Sequence, residues 1–152
     1  MTEFKAQDPE FERRIRESFD RQKVMTLIGA RLGSVEPGRV VIELPYRDDL
    51  VQQHGFVHAG IVSTIADSAG GYAGYSLMPA GSSVLSVEYR MHLLAPADGE
   101  RLRATGRVVR AGRTLTVCEL EVEALKNGAA TRCAWGSQTL MCLRDRSDMP
   151  VG

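Results

Sequence analysis

The stretch Gln52–Tyr75, QQHGFVHAGIVSTIADSAGGYAGY, decides the fold. It is apolar, rich in small residues and poor in strand formers, whereas the chain after it reads as strand. Ile61, Val62, Ile65, Ala69, Tyr72 and Ala73 fall at helical spacing. The spacing predicts a helix from about His58–Gly60 to Leu77 or Met78, ended by Met78-Pro79-Ala80-Gly81. Gly70, Gly71 and Gly74 lie inside it, and a helical glycine costs about 1 kcal/mol relative to alanine. A helix carries such residues where another element must approach its backbone.

Working outward, Ser83–Leu94, Arg101–Arg110, Thr114–Leu125 and Ala130–Leu143 read as four strands. Pro96-Ala97-Asp98-Gly99, Ala111-Gly112-Arg113 and Asn127-Gly128 supply the turns between them. On the other side, Val24–Val35 reads as a strand with bends at Gly29 and Gly33, followed by the turn Glu36-Pro37-Gly38-Arg39 and a second strand over Val40–Pro45. Tyr46–Val51 is a polar connection. Phe11, Ile15 and Phe19 form one narrow stripe on a peripheral helix of about residues 9–22, with Asp8-Pro9 as its capping start. The tail of about residues 144–152 is expected to be flexible. The sum is one α+β domain over residues 1–152, an antiparallel sheet curled around one long central helix. Such a sheet leaves open edges, and domains of this kind pair edge to edge or helix to helix.

The 152 residues carry 19 basic and 19 acidic side chains and no net charge. No bulk field favours nucleic acid or an anionic membrane. The three cysteines, Cys118, Cys133 and Cys142, form no CxxC spacing and suit buried thiols in a reducing compartment. The first 23 residues are too polar for a secretory or spanning segment, so the expected location is the cytoplasm.

Asp67 stands among Ile65, Ala66 and Ala69 near the middle of the apolar helix. A carboxylate there is costly unless paired or used. It either bonds locally to Ser63, Thr64 or Ser68, faces solvent, or does chemistry. His58-Ala59-Gly60 opens the helix, and free N–H groups at a helix start receive developing negative charge. The N–H of Ala59 or Gly60 then forms an oxyanion hole, and Asp67 acts as nucleophile or as the base for water. Nine residues separate His58 from Asp67, roughly 13 Å along one helix. One carbonyl cannot meet both groups of a single chain, so this chemistry requires a homodimer with two shared sites. His54 and His58 lie on a loop without a third ligand, and no metal is expected.

Gly55-Phe56-Val57-His58-Ala59-Gly60, Asp67, Ser86-Val87-Glu88-Tyr89, Leu93-Leu94-Ala95-Pro96-Ala97 and Val109-Arg110-Ala111-Gly112-Arg113-Thr114 stand in an order that resembles the hotdog-fold acyl-CoA thioesterases of the phenylacetate-pathway (PaaI-like) type. The resemblance covers about residues 52–140. It implies hydrolysis of an aryl or medium-chain acyl-CoA without a cofactor, by a dimer or a dimer of dimers. It gives Asp67 the carboxylate role, with His58 and Ala59 at the His-Gly positions and the Ala59 N–H as oxyanion donor. Gln52 takes the place of an asparagine that positions carbonyl or water, and Ser86 that of an assisting hydroxyl. CoA is expected along Leu93, Ala95 and Pro96 and along Val109, Arg110, Gly112, Arg113 and Thr114. Arg90 is placed near that second segment, its guanidinium suited to phosphate. The family's His-Gly-Gly is here His58-Ala59-Gly60, and Gln52 is one methylene longer than asparagine. Both departures fit a second reading, a non-catalytic acyl-CoA binder on the same fold. A thioester hydratase is disfavoured, because Asp49 and His54 lack the intervening Asn-Pro of that pattern.

Overall fold

Ala59–Tyr75 forms the long central helix, α3, with His58 as its N-cap. The computed structural model describes residues 3–152, and Met1 and Thr2 lie outside the described residues. Before α3 come the helices α1 (Phe11–Arg21) and α2 (Lys23–Ile28), then the strands β1 (Arg31–Glu36) and β2 (Arg39–Pro45) and a 3-10 turn at Asp48–Leu50. After it come β3 (Ser83–Leu93), β4 (Arg101–Ala111), β5 (Leu115–Lys126) and β6 (Ala129–Leu143). The strands form one antiparallel sheet in the order β1-β2-β4-β5-β6-β3. β4 and β5 are therefore central, and β1 and β3 are the edges.

The sheet presents alternate residues to α3, as a two-residue side-chain period requires. Leu102 and Ala104 of β4, Leu120 and Val122 of β5, and Ala134 and Leu140 of β6 are all buried. Ile65, Ala69 and Ala73 of α3 fill the space between them. The helical glycines explain how close the layers come. A Cβ on Gly70 would lie 2.4 Å from Leu120 Cδ2, and one on Gly74 2.3 Å from Leu140 Cδ1. From the sheet side, a Cβ on Gly106 would lie 2.4 Å from both Ala69 O and Gly70 N. Those are backbone atoms of α3, which cannot yield as a side chain can. Gly106→Ala is expected to lose about 3 kcal/mol of stability, the upper range for overpacking a core. Urea denaturation reads this, and an unchanged midpoint would mean that helix and sheet do not touch there.

One element differs from the sequence reading. Val24–Val35 is not a single strand. Its first half is α2, and β1 begins only at Arg31. The β-branched run resembles a strand, but Met25 and Ile28, three apart, are its buried residues, while Val24 and Leu27 are exposed. That is a helical period. Gly29, at φ +79°, ends α2 in the left-handed region, so the expected bend is a helix stop. Gly33 lies in the irregular register between Leu32 and Val35.

Helix α1 starts two residues later than the Asp8-Pro9 signal, at Phe11. Asp8 still organises the entry, accepting the Glu10 N–H at 2.9 Å. Ile15 and Phe19 are buried as the stripe predicts. Arg14 fastens α1 to the end of α3. It donates to the carbonyls of Tyr75, Met78 and Pro79, stacks 4.3 Å over the Tyr75 ring, and lies 3.4 Å from Asp8. A cation over the last carbonyls of a helix complements its dipole. Among the described residues no helix is long and apolar enough to cross a membrane.

Candidate active site

Asp67 is half-buried on α3, and its hydrogen bonds come from the sheet. Ser86 Oγ on β3 donates to Oδ1 at 2.7 Å. Gln138 Nε2 on β6 donates to the same oxygen at 2.5 Å and to Ser86 Oγ at 3.0 Å. Of the local partners open in the sequence reading, Thr64 and Ser68 are engaged elsewhere and Ser63 makes no bond to Asp67. Thr64 donates to the Gly60 carbonyl, and Ser68 donates to Gln22. Oδ2 accepts no hydrogen bond among the described residues, and Asp67 lines a cavity of about 290 Å³. The carboxylate is thus clamped by one oxygen and open at the other. That arrangement orients a base or a nucleophile.

Gln138 is the residue that sequence reasoning missed. It is completely buried, and its Oε1 has no partner among the described residues. Its signal was available. Ala134, Gly136, Leu140 and Cys142 are its inward-facing companions on β6, so a glutamine among them is as anomalous as Asp67 on its helix. Gln138→Met, close in volume, is expected to keep the fold within about 1.5 kcal/mol. It should slow turnover about a hundredfold, the cost of letting a reacting group drift. A steady-state assay beside a melting curve separates the two effects. Unaltered turnover would reduce Gln138 to packing.

The start of α3 makes a second group. His58 has extended backbone (φ −61°, ψ 138°), and its Nδ1 accepts the Gly60 N–H at 2.9 Å. The carbonyl of His58 takes the N–H groups of Ile61 and Val62. Of the two candidate oxyanion donors, Gly60 is therefore engaged. The Ala59 N–H has no acceptor among the described residues. Before the helix, Gln52 closes a tight turn. Its N–H bonds Phe56 O at 2.8 Å, its Oε1 accepts the His54 N–H at 2.5 Å, and Gly55 sits at φ +87°. The side-chain amide nitrogen of Gln52 donates to nothing among the described residues. Gln52, Phe56, Ala59, Leu93, Ala95 and Pro96 line one largely apolar cavity of about 520 Å³. The structure brings these predicted residues together.

Gly112 and Arg113 belong to a third place, a cavity of about 230 Å³ at the far end of α3 beside Met78 and Pro79. Val109 forms a bulge, Arg110 pairs with Val117, and Thr114 accepts the Cys142 N–H through its carbonyl. Arg90 is not near this segment, contrary to expectation. It lies on β3, and β6 and β5 separate it from β4, about 14 Å at normal strand spacing. The hairpin turns join neighbours in sequence, but β3 is placed at the edge by pairing with the last strand. Among the described residues Arg90, Arg110 and Arg113 form no ion pair, whereas Arg103, Arg107 and Arg132 are engaged by Glu43, Glu121 and Glu123.

The 17 residues of α3 span about 25 Å, so the three groups stand at its start, middle and end. The single chain separates Ala59 from Asp67, as the residue count requires. The cysteines offer no competing nucleophile. Burial pushes the thiols of Cys118 and Cys133 up to about 12 and about 11, and Cys142 is buried as well. No group of three metal-ligating side chains occurs among the described residues, and the Nδ1 of His58 is already committed to Gly60.

A family model described as "Thioesterase superfamily" matches residues 54–131, about half the chain. The crystal structure of a thioesterase family protein from Silicibacter pomeroyi is 47% identical, covers 88% of this chain and 98% of its own, and superposes with a TM-score of 0.87. The E. coli PaaI protein from the phenylacetic acid degradation operon shares the fold at 18% identity, with a TM-score of 0.78 over 90% of this chain and 95% of its own. The 1,4-dihydroxy-2-naphthoyl-CoA hydrolase of Listeria monocytogenes is 25% identical over 95 residues, 62% of this chain and 77% of that protein. The family match spans both the start of α3 and Asp67, and the antiparallel sheet around one helix is the architecture of these neighbours: the chain belongs to the thioesterase superfamily and has the hotdog fold.

Proposed function

We propose that the protein hydrolyses an acyl-CoA thioester in a site shared by two copies of the chain. The observation that carries this reading is the Asp67 carboxylate, held at Oδ1 by Ser86 and Gln138 and open at Oδ2. The CoA part of the reading is supported by the Listeria relative, named for a CoA ester. Along one chain Ala59 stands about 12 Å from Asp67. The free edge of β3 offers the remedy. Its unpaired N–H and C=O groups, with Val87, Tyr89 and Leu93 exposed along it, form a surface that a second copy covers. A two-fold axis there pairs β3 with the partner's β3 in antiparallel sense. The Leu93 end of one strand then lies beside the Ser83–Ser86 end of the other. The partner's helix start and apolar cavity come next to Asp67.

In that site the thioester carbonyl oxygen accepts the partner's Ala59 N–H, at the positive end of the helix. Asp67 Oδ2 either takes a proton from a water that attacks the carbonyl carbon or attacks the carbon itself. On both routes the carbonyl oxygen becomes negative, the C–S bond breaks, and CoA leaves as the thiolate. On the first route the water has by then become part of the carboxylic acid; on the second an anhydride of Asp67 and the acyl group remains, and water hydrolyses it to the acid and the free carboxylate. Arg110 and Arg113, free of ion pairs among the described residues, are available to the phosphates of CoA. On the outer face of the sheet, Leu85, Met141 and Leu115 lie in register and support a second, back-to-back contact between dimers. Three unpaired cysteines support a cytoplasmic location.

Thiol release from short-chain, long-chain and aryl CoA esters tests the reading, with wild type beside Asp67→Asn. Release that depends on Asp67 supports it. Binding of CoA esters without release from any of them would assign the protein as an acyl-CoA binder instead.

A further inference from the structure

The cavity beside Asp67 has a wall from outside the sheet-and-helix core, made by α1 and by Asp148 of the C-terminal tail. Ser18 and Gln22 reach it from α1 and its C-terminal cap, and Ser68, Gly71 and Tyr72 from α3. Ser18 and Gln22 precede the segment 54–131 that the family model matches. The wall is polar and ordered. Ser68 Oγ donates to Gln22 Oε1 at 2.7 Å, Gln22 Nε2 donates to Tyr72 Oη at 3.0 Å, and Ser18 Oγ lies 3.2 Å from Tyr72 Oη. Burial pushes the Tyr72 hydroxyl up, so it stays a neutral phenol. Among the described residues the second N–H of the Gln22 amide and acceptor lone pairs of both serines are unengaged and are left for a ligand. The contact of Arg14 with the end of α3 and the Arg21–Asp148 pair (2.9 Å) hold this wall in place.

Gly71 stands apart from its neighbours. Gly70 and Gly74 are forced by packing, but a Cβ on Gly71 would meet nothing within 4 Å. The fold of the single chain does not require glycine there, although glycine weakens a helix. The space its missing side chain leaves is part of the cavity beside Asp67.

We propose that Gly71 and Gln22 select the acyl group. Gly71 leaves the room for it, and Gln22, with Ser18 and Ser68, recognises a hydroxyl or carbonyl that it carries. The inference rests on the thioesterase reading of Asp67. It assigns the substrate as a compact, oxygen-bearing acyl group rather than a plain hydrocarbon chain. A site built to bond a substrate hydroxyl disfavours the analogue that lacks it, because its own polar groups are then left unpaired.

The test uses CoA esters matched except for one hydroxyl, butyryl against 3-hydroxybutyryl and benzoyl against hydroxybenzoyl. The wild type is expected to favour the hydroxylated member of at least one pair by about tenfold or more in kcat/KM. Gln22→Met, similar in volume, should bring that ratio below about threefold. Ser18→Ala provides the second variant should Gln22→Met not fold. Gly71→Leu should lower kcat/KM for every ester at least tenfold while the dimer and its melting temperature persist. The same ratio in wild type and in the foldable wall variant, or a wild type with no preference, overturns the assignment. Loss of the dimer in Gly71→Leu would make Gly71 an interface residue instead. Calorimetric binding of each pair to Asp67→Asn reads the same discrimination without turnover. Failure of the hydrolysis reading is thereby kept distinct from failure of this one.

Discussion

Asp67→Asn is expected to melt within a few degrees of the wild type and to release CoA at least about a thousandfold more slowly. The side chains are nearly isosteric. The amide oxygen of asparagine can still accept from Ser86 Oγ and Gln138 Nε2, so the link from α3 to β3 and β6 survives. The open Oδ2 position becomes an NH2 group. That group neither takes a proton from water nor attacks a carbonyl, so both routes are blocked together. Loss of a general base alone costs about 10²–10⁴-fold, and loss of a nucleophile costs at least as much. Thiol-reactive dye reads the product with little background from the protein. Burial raises the Cys118 and Cys133 thiols to about 12 and about 11, which lowers their thiolate fraction at neutral pH, and Cys142 is buried. Turnover within tenfold of wild type, in a variant that stays folded, would sink the mechanism.

Ala59→Pro should lower kcat about 10²–10³-fold, the loss seen when one oxyanion donor is removed. It is an unusually clean deletion. Ala59 is the first residue of α3, where proline is favoured because the N–H it lacks has no helical acceptor. His58, with φ −61° and ψ 138°, already has the extended backbone that the residue before a proline adopts. The variant therefore keeps its helix and loses one hydrogen. Mixing then tests the shared site. Asp67→Asn and Ala59→Pro chains, each inactive alone, form mixed dimers by exchange. One of the two sites in a mixed dimer pairs an intact Asp67 with an intact Ala59 N–H. Random exchange restores about one quarter of wild-type activity. Mixtures that stay inactive after verified exchange would place both groups in one chain. That would contradict the roughly 12 Å separation along α3.

The order of elements, the central helix and the antiparallel strands were written locally, in the periods 3.6 and 2 and in the turn residues. So was the anomaly of Asp67, because a lone carboxylate in an apolar helix violates a one-dimensional rule. The helical glycines also announced a close neighbour. Which neighbour was a tertiary matter. Gly70 answers to Gln138 and Leu120, Gly74 to Leu140, while Gly71 answers to an open cavity, and nothing in the sequence sorts the three. The strand reading of 24–35 failed for a related reason. Met25 and Ile28 choose a helix only because a core surface waits for them, and over six residues propensity is too weak to resist it.

Residues alone determined that one chain cannot bring Ala59 to Asp67, because the helical rise is a fixed length. Only the tertiary structure decided what surrounds each group. It put β3 at an edge by pairing it with β6, and so separated Arg90 from Arg110 and left a strand open to a second copy. It brought Gln138, 71 residues away, onto the Asp67 carboxylate and set α1 against the cavity beside it. The physical reason is range. Helical and strand periodicity are local properties of the backbone, whereas a site is made of distant residues that meet only when the sheet closes on the helix.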